Sequence, residues 1–255
     1  MAASITRRAF ITTGAAAAGA FLPGAAAYAH PARGVRFTLN AQVLDGGEQV
    51  TSVTLYTARL GRIDPASLTT GTFRVHAKAT SPIPVAAGDL IFSEYDLDRE
   101  VTAARVDRWG NIVLELAYGE GQVGGGTLGY IVGKGRNVVL DLEYTITQTS
   151  PLALRNRRPV TIGRFVQGEL SDPEVDAFGY RVSGSGMNYR LYSPRHGRRS
   201  HGRDRRPLVV WLHGGGEGGL LSDGYYDNES PLRANRGALG FATPQIGTAA
   251  ANRSG

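Results

Sequence analysis

The sequence predicts an all-β sandwich followed by the opening of a second layer of α/β type, and three observations predict it. Between Val35 and Leu154, short segments rich in Val, Thr, Leu and Tyr recur with turn residues between them. Residues 208–212, Leu-Val-Val-Trp-Leu, are apolar without interruption and end in a histidine and three glycines. The first 29 residues have the pattern of a removable export segment and fall outside the fold.

Thr6-Arg7-Arg8-Ala9-Phe10-Ile11 is a twin-arginine pattern, and an Ala-rich apolar stretch runs from Ile11 to Ala27. Ala27-Tyr28-Ala29 supplies a small-x-small cleavage site, so the mature chain is expected to begin at His30 and to be secreted or extracytoplasmic. Removing Arg7 and Arg8 lowers the net charge from +6 to +4. No later run approaches the ~18 apolar residues of a membrane span, so no membrane association is expected after cleavage. The chain has no cysteine, which suits export in the folded state. Its basic charge is almost entirely arginine, with Lys78 and Lys134 as the lysines, and is weak evidence for a nucleic-acid partner.

The strand segments are RFTLNAQVL (36–44), VTSVTLYTA (50–58), GTFRVHAKA (71–79), REVTAARVD (99–107), NIVLELAY (111–118) and NVVLDLEYTIT (137–147). Phe73, Val75 and Ala77 alternate with Arg74, His76 and Lys78, the period of a strand with one buried face. Asp107-Arg108-Trp109-Gly110-Asn111 is a hairpin turn by composition. Strands at this spacing over about 100 residues predict one antiparallel sandwich of immunoglobulin-like type, placed at residues 35–154.

Thr149 to Pro159, with two prolines and three arginines, reads as a linker, and residues 160–244 read as a second domain. FGYRVSG (178–184) and MNYRLYS (187–193) form a predicted hairpin around Gly184-Ser185-Gly186. An arginine-rich loop, RHGRRSHGRDRR (195–206), precedes the apolar strand and is expected to be a solvated loop. Ser230–Leu239 predicts a short helix, with Ser230 as N-cap and Pro231 at its first position. Residues 245–255 are small and polar without periodicity and read as a disordered tail.

A strand apolar on both faces belongs in the middle of a parallel sheet. Ending it in His213-Gly214-Gly215-Gly216 has a chemical rationale. Acyl transfer develops negative charge on a carbonyl oxygen, and converging backbone N–H groups stabilise it. Glycines let those groups converge and let the backbone approach a substrate closely.

PLVVWLHGGGEGG (207–219), with the FGYRVSG and MNYRLYS hairpin before it and PLRANRGALGFATPQ after it, resembles the front end of secreted α/β-hydrolase esterases. The similarity is to prolyl-oligopeptidase-like hydrolases and polyester depolymerases that carry an N-terminal immunoglobulin-like domain. The resemblance implies an incomplete N-terminal part of an α/β-hydrolase domain, with Gly214, Gly215 and Gly216 forming an oxyanion hole. It also implies that His213 orients the loop and that Glu217 either braces it or faces the entrance of the site. The implied partner is a small-molecule or polymeric ester, with no cofactor and no metal.

The family's nucleophile elbow, G-x-S-x-G, does not occur in the 255 residues. Ser185 has glycine on both sides but Ser183 and Met187 at the outer positions, and Ser254 precedes the terminal glycine. His213 is the last histidine, so no Ser, Asp and His follow in the family's order. About 40 residues follow the apolar strand, well short of a complete hydrolase sheet. The expectation is a C-terminally truncated esterase without activity of its own. The alternative is a non-catalytic secreted binding module.

Three further patterns resolve to plainer readings. Gly119-Glu120-Gly121-Gln122-Val123-Gly124 matches a dinucleotide fingerprint, but another turn and strand follow where a helix is needed. Gly133-Lys134-Gly135 lacks the spacing of a phosphate loop. Glu94, Asp96, Asp98 and Glu100 alternate as a row of carboxylates on one strand face, expected to be solvated and to meet arginines.

Overall fold

The computed structural model describes residues 34–193, 208–217 and 229–242; the export segment, the loop at 195–206 and the tail at 245–255 lie outside them. The described strands are β1 (Val35–Leu44), β2 (Gly47–Leu55), β3 (Phe73–Thr80), β4 (Ile91–Phe92), β5 (Tyr95–Arg99), β6 (Val101–Val106), β7 (Ile112–Leu116) and β8 (Leu128–Ile131). They continue with β9 (Arg136–Val139), β10 (Asp141–Gln148), β11 (Leu152–Leu154), β12 (Arg157–Val160), β13 (Phe165–Ser171), β14 (Phe178–Val182) and β15 (Asn188–Tyr192). The helices are short: α1 (Pro173–Asp176), α2 (Ser230–Ala234) and α3 (Gly237–Ala242).

Five sheets result. The largest has the order β13-β1-β2-β7-β6, and three-stranded sheets form as β10-β3-β5 and β4-β8-β9. The pairs β11–β12 and β14–β15 stand as separate hairpins. Alternation decides which face is buried. Phe73, Val75, Ala77 and Ala79 of β3 point into the same core as Phe37 and Leu39 of β1 and Ile112, Leu114 and Leu116 of β7. Each large side chain so buried contributes roughly 1.5–3 kcal/mol. Val50 and Val53 of β2 are both fully buried although three residues apart, because a bulge opposite Asn40 and Ala41 resets the alternation.

The predicted fold class does not survive. The described residues after 160 do not open a helix-covered parallel sheet behind an immunoglobulin-like sandwich, and the described residues as a whole form mostly small β-sheets with few helical residues. β13 instead returns to the first sheet and pairs parallel with β1, Val35 opposite Phe165. Residues 208–212 form no strand: Leu208 and Leu212 are 80% and 83% exposed. The physical reason is that an apolar run becomes a central strand only when neighbours on both sides accept its backbone hydrogen bonds, and none of the described strands does so.

Other local readings shift less. The predicted linker holds the β11–β12 hairpin, turned at Asn156 with φ 63°, and Leu152 is fully buried in the core. The predicted strand 99–107 divides at Glu100 between β5 and β6. The predicted helix breaks at Asn235 into α2 and α3, and its N-cap is Glu229 rather than Ser230. The 178–193 hairpin forms as predicted, with Phe178 opposite Tyr192. At the 107–111 turn, Asp107 Oδ1 accepts the amides of Trp109 at 2.8 Å and Asn111 at 2.9 Å.

Candidate functional site

Residues 213–217 form a compact turn anchored at two points. Upstream, the Trp211 ring lies 6.0 Å from that of Phe241 and covers Gly237 of α3, where a Cβ would come within 2.5 Å of the indole. Downstream, the Asn137 amide of β9 donates to the Gly216 carbonyl at 2.6 Å. Gly216 has φ 95°, and a Cβ there would lie 2.8 Å from the Gly135 carbonyl oxygen. Only glycine meets both conditions at this position.

Inside the turn, the Glu217 amide donates to the Gly214 carbonyl at 3.3 Å, and His213 Nδ1 donates to the same oxygen at 2.9 Å. The Gly214 N–H donates to Glu217 Oε2 at 3.0 Å. The backbone donor that the sequence assigns to an oxyanion is therefore already turned toward a negatively charged oxygen of the chain itself. His213, Gly214 and Gly215 are exposed, while Gly216 and Glu217 are half-buried.

A second cluster has no signature in the sequence. The apolar residues Val43, Val175, Leu232 and Leu239 hold α1, α2 and α3 against β1. Around them, Arg233 pairs with buried Glu48 of β2 and, at 3.0 Å, with Glu229. The Thr127 hydroxyl also donates to Glu48. Arg236 donates to the Val43 carbonyl at 2.8 Å and to Glu174 at 2.7 and 2.9 Å. Asp172 caps α1 by accepting the Glu174 amide at 2.9 Å, and its Oδ2 is buried with no donor among the described residues. Burial pushes the Glu48 carboxyl up to about 7 against the lowering pull of Arg233, and neighbouring Asp172 pushes the same way as burial. Since α3 carries Gly237 and Phe241, this buried cluster indirectly positions Trp211 and the turn after it.

Of the predicted carboxylate row, Asp96 and Asp98 meet a histidine rather than arginines. His76 Nε2 lies 2.8 Å from Asp96 Oδ1 and its Nδ1 lies 2.8 Å from Asp98 Oδ1. Both contacts are hydrogen bonds only when both ring nitrogens carry protons, so the pair holds His76 as imidazolium. The Asp98 and then the Asp96 hydrogen bonds raise its pKa above the ordinary 6.5. The stabilisation is complete below pH 6.5 and is lost as pH rises through the raised value. An NMR titration of His76 is expected to give a midpoint above 6.5, with Asp98→Asn and Asp96→Asn each bringing it down. The two carboxylates take opposite sides of the ring, and no grouping among the described residues could hold a metal ion.

The dinucleotide-like stretch is a loop followed by β8, with Gly119, Gly121 and Gly124 at positive φ. Gln49 pins it, accepting the Gly119 amide at 2.9 Å and donating to its carbonyl at 3.1 Å. Arg99 holds its other end by donating to the Gly124 carbonyl at 2.7 Å. No helix among the described residues is long and apolar enough to cross a membrane.

No protein-family model matches the chain, and no curated protein does. Among solved structures, the chain is similar to the crystal structure of a thermostable esterase, with a TM-score of 0.63 and 23% identity. The match covers 83% of this chain and 54% of the esterase, so the chain spans about half the length of that protein. At this identity the likeness is one of fold, and the fold of an esterase is what most of this chain shares.

Proposed function

We infer that the chain is an esterase-type hydrolase component that supplies backbone donors for an oxyanion and does not supply the nucleophile. The observation that carries this reading is the Gly214 N–H, which donates to the Glu217 carboxylate at 3.0 Å within a turn that Gly216 and Asn137 hold. A carboxylate oxygen is a stand-in for the tetrahedral oxyanion of acyl transfer, and a donor preorganised toward it is the element such catalysis needs. The fold shared with an esterase supports the same class. The substrate class is an ester, small or polymeric, and the reading includes export through the twin-arginine route with cleavage before His30.

No G-x-S-x-G serine occurs in the 255 residues, so this reading assigns no hydroxyl of the chain to be acylated. The purified chain is therefore expected to show neither turnover nor a burst with p-nitrophenyl acetate, and no labelling by a fluorophosphonate. A burst matching the enzyme concentration, or a labelled serine, overturns the assignment of the chain as donor without nucleophile. The second reading, a non-catalytic secreted binding module, is favoured by a cavity between the start of β2 and the β8–β9 hairpin.

A further inference from the structure

A cavity of about 380 Å³ opens between the start of β2, the 119–126 loop and the β8–β9 hairpin. Its volume lies near the lower end of the roughly 300–1,000 Å³ of small-molecule sites. We propose that this cavity binds a neutral sugar of one or two rings.

Charge narrows the ligand first. Among the described residues no lysine or arginine lines the cavity, so none of them balances an anion there. Of the two carboxylates among its described lining residues, Glu48 has a fully buried side chain taken up by Arg233 and Thr127. Glu94 stands at the rim with Oε1 accepting the Ser81 amide at 2.6 Å.

The remaining chemistry suits hydroxyl groups. Ser93, Gln122, Tyr130 and Asn137 line the cavity, and their side chains have no hydrogen-bond partner among the described residues. Each hydroxyl or amide offers both a donor and an acceptor, which is what each sugar hydroxyl requires. Tyr95, Tyr130, Val123 and Leu128 add apolar surface of the kind that covers the C–H face of a sugar ring.

The walls are preset. Gln49 and Arg99 fix the two ends of the loop, so ligand binding need not order it. Ser93 holds φ 73°, a left-handed conformation that a non-glycine residue adopts at a cost and that concentrates at binding sites. The site is separate from the esterase reading and does not depend on it.

The test is a titration of the ¹⁵N-labelled chain with xylose, glucose and cellobiose, with tetramethylammonium chloride and inorganic phosphate as charged controls. At least one sugar is expected to shift the resonances of Ser93, Gln122, Tyr130 and Asn137 with a millimolar dissociation constant. Tyr130→Ala is expected to weaken binding about tenfold or more, about 1.4 kcal/mol. Gly126→Leu is expected to abolish it, because Gly126 lines the cavity and an added Cβ there meets nothing within 4 Å. Asn137→Ala supplies a second reading should either variant fail to fold. Absence of shifts up to about 100 mM sugar overturns the proposal. So do shifts that persist in Gly126→Leu, or tighter binding of either charged control at these residues.

Discussion

Replacing Arg233 by alanine is expected to destabilise the protein by about 3–5 kcal/mol and to release α2 and α3 from the β-sheets. The size follows from burial: Glu48 loses its cation while its side chain remains inaccessible to water. The four apolar residues that also hold the helices are too few to offset an unpaired buried carboxylate. Urea unfolding measures the loss, and hydrogen exchange at 230–242 shows where it falls. The double variant Arg233→Leu and Glu48→Leu is expected to recover part of it, since removing both charges removes the desolvation penalty.

The same cluster sets a pH dependence. The folded state raises the Glu48 carboxyl from the ordinary 4.5 to about 7, so it holds the proton more tightly than the unfolded chain does. Its contribution is therefore complete below pH 4.5 and declines as pH rises toward 7. Asp176, also raised chiefly by burial, acts in the same direction, so the cluster favours mildly acid conditions. Glu48→Gln is expected to flatten that slope while keeping the hydrogen bond from Thr127.

Arg99→Met is expected to be similarly damaging, about 3–5 kcal/mol, by a different route. The Arg99 guanidinium is buried, pairs with no carboxylate among the described residues and donates to four neutral acceptors. These are the Gly124 carbonyl at 2.7 Å, the Val50 carbonyl at 3.2 Å, the Ala117 carbonyl at 2.6 Å and the Tyr144 hydroxyl at 3.0 Å. Methionine fills much of the volume but leaves these acceptors in a dry interior, where each unmet group costs about 1–3 kcal/mol. The donors come together from β5 while the acceptors come from β2, β10 and the segment after β7, so the loss strikes two sheets at once. A lower urea midpoint with unchanged slope, together with weaker protection at Gly124, is the expected result.

Part of this was legible in the residues. The alternation of Phe73, Val75 and Ala77 with Arg74, His76 and Lys78 describes β3 without tertiary information, because period two is intrinsic to an extended chain with one wet face. The Asp107–Asn111 turn and the 178–193 hairpin were legible for a similar reason: their hydrogen bonds close within a few residues. At the candidate site, the need for glycine at 216 was legible as a pattern, although the contact that demands it, the Gly135 carbonyl, was not.

What the sequence by itself determined is the set of strands whose environment repeats locally, the turns between them and the presence of a glycine turn after an apolar run. Tertiary structure alone decided that the apolar run stays outside any described sheet, that β13 pairs parallel with β1, and that Glu48 meets Arg233 across 185 positions. The physical reason is range. A side-chain pattern reports whether a segment faces water, whereas the partner that accepts its backbone hydrogen bonds or balances its charge comes from elsewhere in the chain. That choice is made by the free energy of the whole assembly.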